Sequence, residues 1–216
     1  MLGILGLGNY STLHYINRIN EEFNKINGGF STCPFKMLNV NFNEINHYLP
    51  YKTKELAPII ERNIIELNKL EVTKILIPNI TLHETVDQIY LPESIRNKIT
   101  HPLNFEKVRS NDCNFSKFIV LGSLYMMESN YIAKKLKAEK VSLIKEELLE
   151  IDRIRTSIYS QGVVDEDLNW IRKFMNSYPN VTLVIACTEL SILFSKIKSK
   201  NPVIDLAEIQ IKQALG

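Results

Sequence analysis

Residues 181–190 read Val181-Thr182-Leu183-Val184-Ile185-Ala186-Cys187-Thr188-Glu189-Leu190. A β-branched and apolar run stops at a cysteine, and a pattern of helical spacing then opens. A run that is apolar at nearly every position has no solvent face, so it reads as a strand buried on both sides. The same succession, buried strand then turn then helix, recurs elsewhere. Ile75-Leu76-Ile77 stops at Pro78-Asn79, Ile4-Leu5 stops at Gly6-Leu7-Gly8, and Phe118-Ile119-Val120-Leu121 stops at Gly122. Strands of this kind alternating with amphipathic helices predict an α/β protein with parallel sheets.

Outward from these strands, the spacing predicts helices over 12–26, 54–70, 80–90, 126–136, 143–159, 165–178, 188–197 and 206–215. Ser11 or Thr12 is the expected cap of the first helix. Further strands are expected over 36–42 and 203–204. The pattern also repeats. Gly6 and Gly122 close similar strands 116 residues apart, and Asn79 and Cys187 follow similar strands 108 residues apart. Two related halves are one reading; a general likeness among buried strands is the other. The expected halves are 1–101 with 205–216, and 102–204. The polar stretch 102–116 is the expected crossing between them.

Composition sets limits. A chain of 216 residues with 45% hydrophobic and 23% charged content is an ordinary globular one, so disorder is excluded. A net charge of +2 is too weak a field for nucleic acid or an anionic membrane surface. No segment approaches the ~20 apolar residues of a membrane span. The apolar start, 1–8, has no basic flank and reads as a strand, not a signal peptide. Three cysteines (Cys33, Cys113, Cys187) form no pairing pattern and fit a reducing cytoplasm. Four scattered histidines (His14, His47, His83, His101) and no CxxC pair argue against a metal site. His14 and Met126-Met127 read as structural, and Cys33 and Cys113 as incidental.

In parallel sheets ligands bind at the carboxyl ends of the strands. Three loops fall there: 6–12, 78–83 and 186–189. The first is a GxG without a full dinucleotide fingerprint or a Walker lysine, so nucleotide binding has little support. The third carries Cys187 at a strand end where a helix begins. The helix field is expected to favour its thiolate, and a thiolate so placed is a nucleophile or a proton-transfer base. The bland alternative is a small buried apolar side chain.

Ala186-Cys187-Thr188-Glu189-Leu190 resembles the second-cysteine motif of the aspartate/glutamate racemase superfamily, whose members work without pyridoxal phosphate. Ser11-Thr12-Leu13-His14-Tyr15 with Ile19-Asn20-Glu21 is similar to the family's N-terminal stretch. Val40-Asn41-Phe42-Asn43-Glu44-Ile45, Gly122-Ser123 with Met127-Glu128, and Asp205 continue the likeness along most of the chain. The resemblance implies two pseudo-symmetric α/β domains with an active site in the cleft between them. There a cysteine from each half faces the substrate's α-carbon, one removing the proton and the other returning it. It further implies no metal, no organic cofactor, a small carboxylate or amino-acid substrate, and a homodimer.

The first half departs from that pattern. Where the family places Cys-Asn-Thr-x-His, this chain reads Asn79-Ile80-Thr81-Leu82-His83. Asn79 stands in the position of the missing cysteine, and a neutral amide is no base for an α-proton. The resemblance carries Cys187 over as the catalytic thiol. It gives Asn9, Tyr10, Ser11, Thr81, Thr188 and Glu189 to substrate binding and His83 to support. Thr81 and Thr188 are expected to donate to the α-carboxylate. Glu189 is expected to accept from the amine or to orient a neighbour. No Lys or Arg stands beside Gly162, and no clear Arg follows Phe42, to hold a distal carboxylate. Three activities remain open. They are a one-thiol racemase asymmetric between L and D, a single-cysteine decarboxylase or lyase, and a homologue that binds a small carboxylate without turnover.

Overall fold

Leu2–Gly6 (β1) is buried at all five positions, as its unbroken apolar run requires. The structure, a computed structural model, describes residues 1–104 and 116–216. Cys113 and most of the expected crossing at 102–116 lie outside the described residues. The chain divides into two units: Met1–Pro102 with Glu208–Gly216, and Leu103–Ala207. Each has its own parallel sheet, so the architecture is α/β with two parallel sheets.

In the first unit β1 lies between Phe35–Asn39 (β2) and Lys74–Leu76 (β3), in the order β2-β1-β3. Asn9–Asn27 (α1) buries Tyr15 and Ile19, and Thr53–Asn68 (α3) buries Leu56, Ile60, Ile64 and Leu67. The latter four join Leu5, Ile75 and Ile77 in one hydrophobic cluster. Asn43–Asn46 (α2), Leu82–Val86 (α4) and Glu93–Arg96 (α5) are short. Beyond β3 a single parallel bridge joins Ile75 to Ile99. It is held by Ile75 N to Lys98 O at 2.7 Å and Thr100 N to Ile75 O at 2.8 Å.

In the second unit Lys117–Leu121 (β4) lies between Glu139–Lys140 (β5) and Thr182–Ile185 (β6), with Val203–Asp205 (β7) outside β6. Register pairs Leu121 with Ile185, and Ile185 with Asp205. Gly122, Ala186 and Leu206 therefore leave the sheet side by side. The helices are Leu124–Glu128 (α6), Tyr131–Leu136 (α7), Lys145–Gln161 (α8), Asp165–Ser177 (α9) and Thr188–Phe194 (α10); the last helix of the chain, Leu206–Leu215 (α11), belongs from Glu208 onward to the first unit. The order β5-β4-β6 repeats β2-β1-β3, and β7 stands beside β6 as Ile99 stands beside β3. The repeated sequence pattern thus falls on a repeated topology.

Three expectations are corrected. The first helix starts at Asn9, with Gly8 and not Ser11 or Thr12 as its cap. Thr12 Oγ1 instead accepts from Leu7 N at 3.1 Å, tying the helix back to the β1 turn. The helix expected over 80–90 is confined to Leu82–Val86. The one expected over 126–136 is two helices, α6 and α7. Between them Lys140 Nζ donates to the carbonyls of Met127, Glu128 and Ser129 at 2.7–2.9 Å, taking the acceptors a continuous helix would use. Strand β5, which carries Lys140, is a two-residue charged edge with no apolar signal.

Candidate active site

In each sheet the central strand connects to neighbours on opposite sides, which opens a crevice at the carboxyl ends on the switch side. In the first unit that edge holds the turns after β1 and β3. In the second it holds the turns after β4 and β6. Every predicted site residue lies on one of these four turns or the first turn of the helix that follows.

In the second unit, Gly122 approaches the β6 turn closely. A Cβ there would lie 3.3 Å from Ala186 O and 3.4 Å from Ala186 Cβ. Ala186 N donates to Leu121 O at 2.7 Å. The next residue, half-buried Cys187, has extended backbone (φ −155°, ψ 133°) and caps α10. Ser191 N and Ser191 Oγ donate to its carbonyl at 3.0 and 3.2 Å. Ser191 Oγ also donates to Asp205 Oδ1 at 3.0 Å, fastening α10 to the end of β7.

The Cys187 thiol donates to Glu189 Oε2 at 2.6 Å, and Thr188 Oγ1 donates to the same oxygen at 3.1 Å. Burial pushes the thiol well above its usual range, and the charge of Glu189 and the hydrogen bond to it push it further. The charge of Arg155 and the backbone N–H of Glu189 oppose the shift without reversing it. The expectation of a thiolate favoured by the helix field is therefore corrected. Burial, together with the Glu189 carboxylate in the first turn, outweighs the backbone dipoles of a seven-residue helix. Of the two roles expected for Glu189, orienting a neighbour is the one its hydrogen bonds display.

The sequence reading missed the cation of this site. Arg155 stands on α8, seven residues before Gly162, among the buried positions Ile151, Ile154 and Ile158. Its Nε and Nη2 both lie on Asp152 Oδ1, at 3.0 and 2.9 Å. Burial draws the guanidinium down. The charges of Cys187 and Asp152, the bond to Asp152 and the charge of Glu189 raise it above its ordinary value. The available signal was Asp152-Arg155 at i, i+3 beside an apolar stripe, a spacing that places both on one face of the helix.

In the first unit, Asn9, Tyr10 and Ser11 form the first turn of α1, and Ser11 Oγ donates to Gly8 O at 3.2 Å. Asn79 Oδ1 accepts from Leu82 N at 2.9 Å, so its amide caps the turn that leads into α4. Thr81 precedes that helix and is half-buried. His83 is fully buried. Its Nε2 lies 3.0 Å from Gln210 Nε2 and 3.3 Å from Ile77 O. Gln210, on α11, also donates to Thr100 O at 2.7 Å and accepts from Tyr15 Oη at 2.8 Å. His83 thus belongs to a buried network behind the β3 turn, with the His101 ring edge-on at 4.8 Å.

Two surface hollows lie elsewhere. One, of about 720 Å³, is lined by residues including Ser116, Lys134, Lys137 and Glu139. The other, of about 260 Å³, runs along α3 past Pro58, Arg62 and Lys69. Neither touches a predicted site residue. Among the described residues no group of three or more His, Cys, Asp or Glu is placed to hold a metal ion. Among them, too, no helix is long and apolar enough to cross a membrane.

The fold is that of the aspartate/glutamate racemases. Solved structures match this chain over 99% of its length. They include a candidate Asp/Glu racemase from Yersinia pestis (TM-score 0.80, 20% identity, 96% of that chain). An aspartate racemase homologue from Pyrococcus horikoshii matches with TM-score 0.76, 20% identity and 96% of its chain. The Picrophilus torridus aspartate racemase matches with TM-score 0.70, 17% identity and 93% of its chain. No family model matches the sequence, and no curated protein does either.

Proposed function

We propose that this chain is a cofactor-independent racemase of the aspartate/glutamate superfamily, and that Cys187 moves the α-proton of a small amino acid. The observation that carries the reading is the Cys187–Glu189 pair on the carboxyl edge of β6, at the switch point of a sheet with the racemase fold. The pair holds one proton and one negative charge. Passing the proton from sulfur to Glu189 Oε2 moves the charge onto sulfur without adding net charge to the site, and burial of the sulfur is the cost of the step. The thiolate then takes the α-proton. Thr188, Thr81 and the first turn of α1 (Asn9, Tyr10, Ser11) bind the substrate, and His83 supports the β3 turn.

With Asn79 in the partner position, the opposite face has no thiol. Its amide oxygen is committed to Leu82 N, so that face takes its proton from water or a weak donor, and turnover is asymmetric between L and D. The protein works in the cytoplasm as a homodimer. Proton NMR in D2O tests the reading. L- and D-aspartate and L- and D-glutamate are incubated separately, with Cys187→Ala as control. Cys187-dependent loss of the α-proton signal in at least one enantiomer supports it. No exchange in any of the four rejects it.

One observation favours a second reading. A thiol held protonated is a proton donor at rest. A single-cysteine decarboxylase or lyase needs only that, because loss of CO2 supplies the carbanion. CO2 release from a disubstituted malonate, with no α-exchange of amino acids, selects this reading. Binding of a small carboxylate with neither reaction selects a non-catalytic homologue.

A further inference from the structure

We propose that Gln210 is a positioning residue of the β3 turn: it holds the His83 ring neutral, with the ring proton on Nδ1, so that the Ile77 carbonyl stays with the backbone N–H of Asn79. The inference deepens the proposed function and rests on it for one point, that position 79 is the partner of the Cys187 thiol.

One amide sets the ring. The Thr100 carbonyl can only accept, so the Gln210 atom 2.7 Å from it is the nitrogen. The Tyr15 hydroxyl, donating to Oε1 at 2.8 Å, agrees with the same orientation. That nitrogen also lies 3.0 Å from His83 Nε2. An amide NH2 donates and does not accept, so His83 Nε2 offers its lone pair, and the proton of the neutral ring is on Nδ1. Both residues are fully buried, so neither side of this bond has bulk solvent as an alternative partner.

An acceptor faces the same ring nitrogen. Ile77 O lies 3.3 Å from His83 Nε2 and takes Asn79 N at 2.7 Å. His83 Nε2 cannot serve both neighbours. With a lone pair it takes the Gln210 N–H and leaves Ile77 O to Asn79. With a proton it donates to Ile77 O, and a buried Gln210 N–H loses its acceptor, which folding penalises. The shorter of the two distances selects the first arrangement. The titratable side chains around the ring act the same way. His101 stands edge-on at 4.8 Å, and its Nε2 is 3.4 Å from Asp87 Oδ1. A charge taken up by His101 next to that carboxylate repels a second on His83. Tyr15 acts through the Gln210 amide. The ring nitrogen that faces the turn carries no proton, so His83 does not replace the missing thiol as a donor there.

Long-range proton–nitrogen correlation spectra of the histidine rings, taken on the whole isotope-labelled chain, test this without substrate. In the wild type, His83 Nε2 is expected at the position of an unprotonated ring nitrogen and Nδ1 at that of a protonated one, both constant from about pH 5 to 8. A protonated Nε2, or a midpoint near the ordinary value of about 6.5, overturns the proposal. Gln210→Glu puts an acceptor where the donor stood. It is expected to protonate Nε2, to bring the His83 midpoint into that window, and to speed deuterium exchange of the Asn79 N–H by about tenfold with the β1 amides unchanged. A packing role alone would move the β1 amides as much. Tyr15→Phe leaves Thr100 O to orient the amide, so the ring is expected to keep its wild-type tautomer; this variant carries the test if Gln210→Glu does not fold. A wild-type ring in Gln210→Glu, or an altered one in Tyr15→Phe, also overturns the proposal. Failure of α-deuteration in the wild-type chain rejects the racemase reading and leaves these spectra standing.

Discussion

Cys187 Sγ stands 2.6 Å from Glu189 Oε2 and donates its proton to it. This bond makes the thiol a worse acid and the pair a better proton carrier. The carboxylate repels a nearby thiolate, yet it is also the acceptor that a departing thiol proton needs. The two effects separate in a variant that removes the charge and keeps the shape. Glu189→Gln is expected to raise alkylation of Cys187 by iodoacetamide at neutral pH by about tenfold, one pKa unit of relief. It is also expected to lower α-proton exchange by about a hundredfold, the usual size of a lost general base. Parallel rise or parallel fall of the two rates would contradict a relay through Glu189.

The raised thiol also gives stability a pH dependence of fixed sign. Folding holds the proton on Cys187, while the unfolded chain releases it near the ordinary thiol value of about 8.5. Stability from this group is fully present below that value and falls as pH rises toward the folded value, by at most about 1.4 kcal/mol per pH unit. Cys33, raised by burial, acts in the same direction. The expected result is that the urea midpoint of the wild type falls more steeply above pH ~8.5 than that of Cys187→Ala. Superimposable curves would place the Cys187 thiol near its ordinary value.

Much of this molecule was legible because its strands are buried on both faces. Leu2–Gly6, Lys117–Leu121 and Thr182–Ile185 show as apolar runs, and each ends within a residue or so of where the pattern breaks. The last helix, Leu206–Leu215, was read to the residue. What escaped was decided by side chains from other elements. The break at Ser129 depends on Lys140 arriving from an edge strand, and the start of α1 depends on Thr12 turning back to Leu7 N. Cys187 was legible as a strand-end cysteine. Its protonation was not, because that depends on burial of the sulfur and on Glu189 turning toward it. Arg155 was invisible because a search beside Gly162 looks for a loop cation, whereas this one projects from the body of α8.

Asn79 is in structural use. Its Oδ1 caps Leu82 N at 2.9 Å, the bond that shapes the turn after β3. Restoring a thiol by Asn79→Cys removes that cap. The variant is expected to lose about 1 kcal/mol of stability, read as a lower urea midpoint. It is also expected to gain α-deuteration with the enantiomer the wild type processes slowly. A gain with both enantiomers alike would show that the wild-type asymmetry does not come from position 79.

Gln210 is the element of the first unit whose loss should propagate furthest. Its one amide joins Tyr15 on α1, Thr100 beside β3 and His83 behind the β3 turn, and it is fully buried. Gln210→Leu keeps the volume and removes three hydrogen bonds at once, leaving buried polar groups to find other partners. The expected loss is about 3 kcal/mol or more, against about 1 kcal/mol for Tyr15→Phe, which removes a single bond. Because the groups share a hub, the losses should not add. Tyr15→Phe made in the Gln210→Leu chain is expected to have little further effect, which a double-mutant cycle of urea unfolding would measure. Full additivity would mean that Tyr15 and His83 are held independently of Gln210, and that the β3 turn does not depend on the last helix.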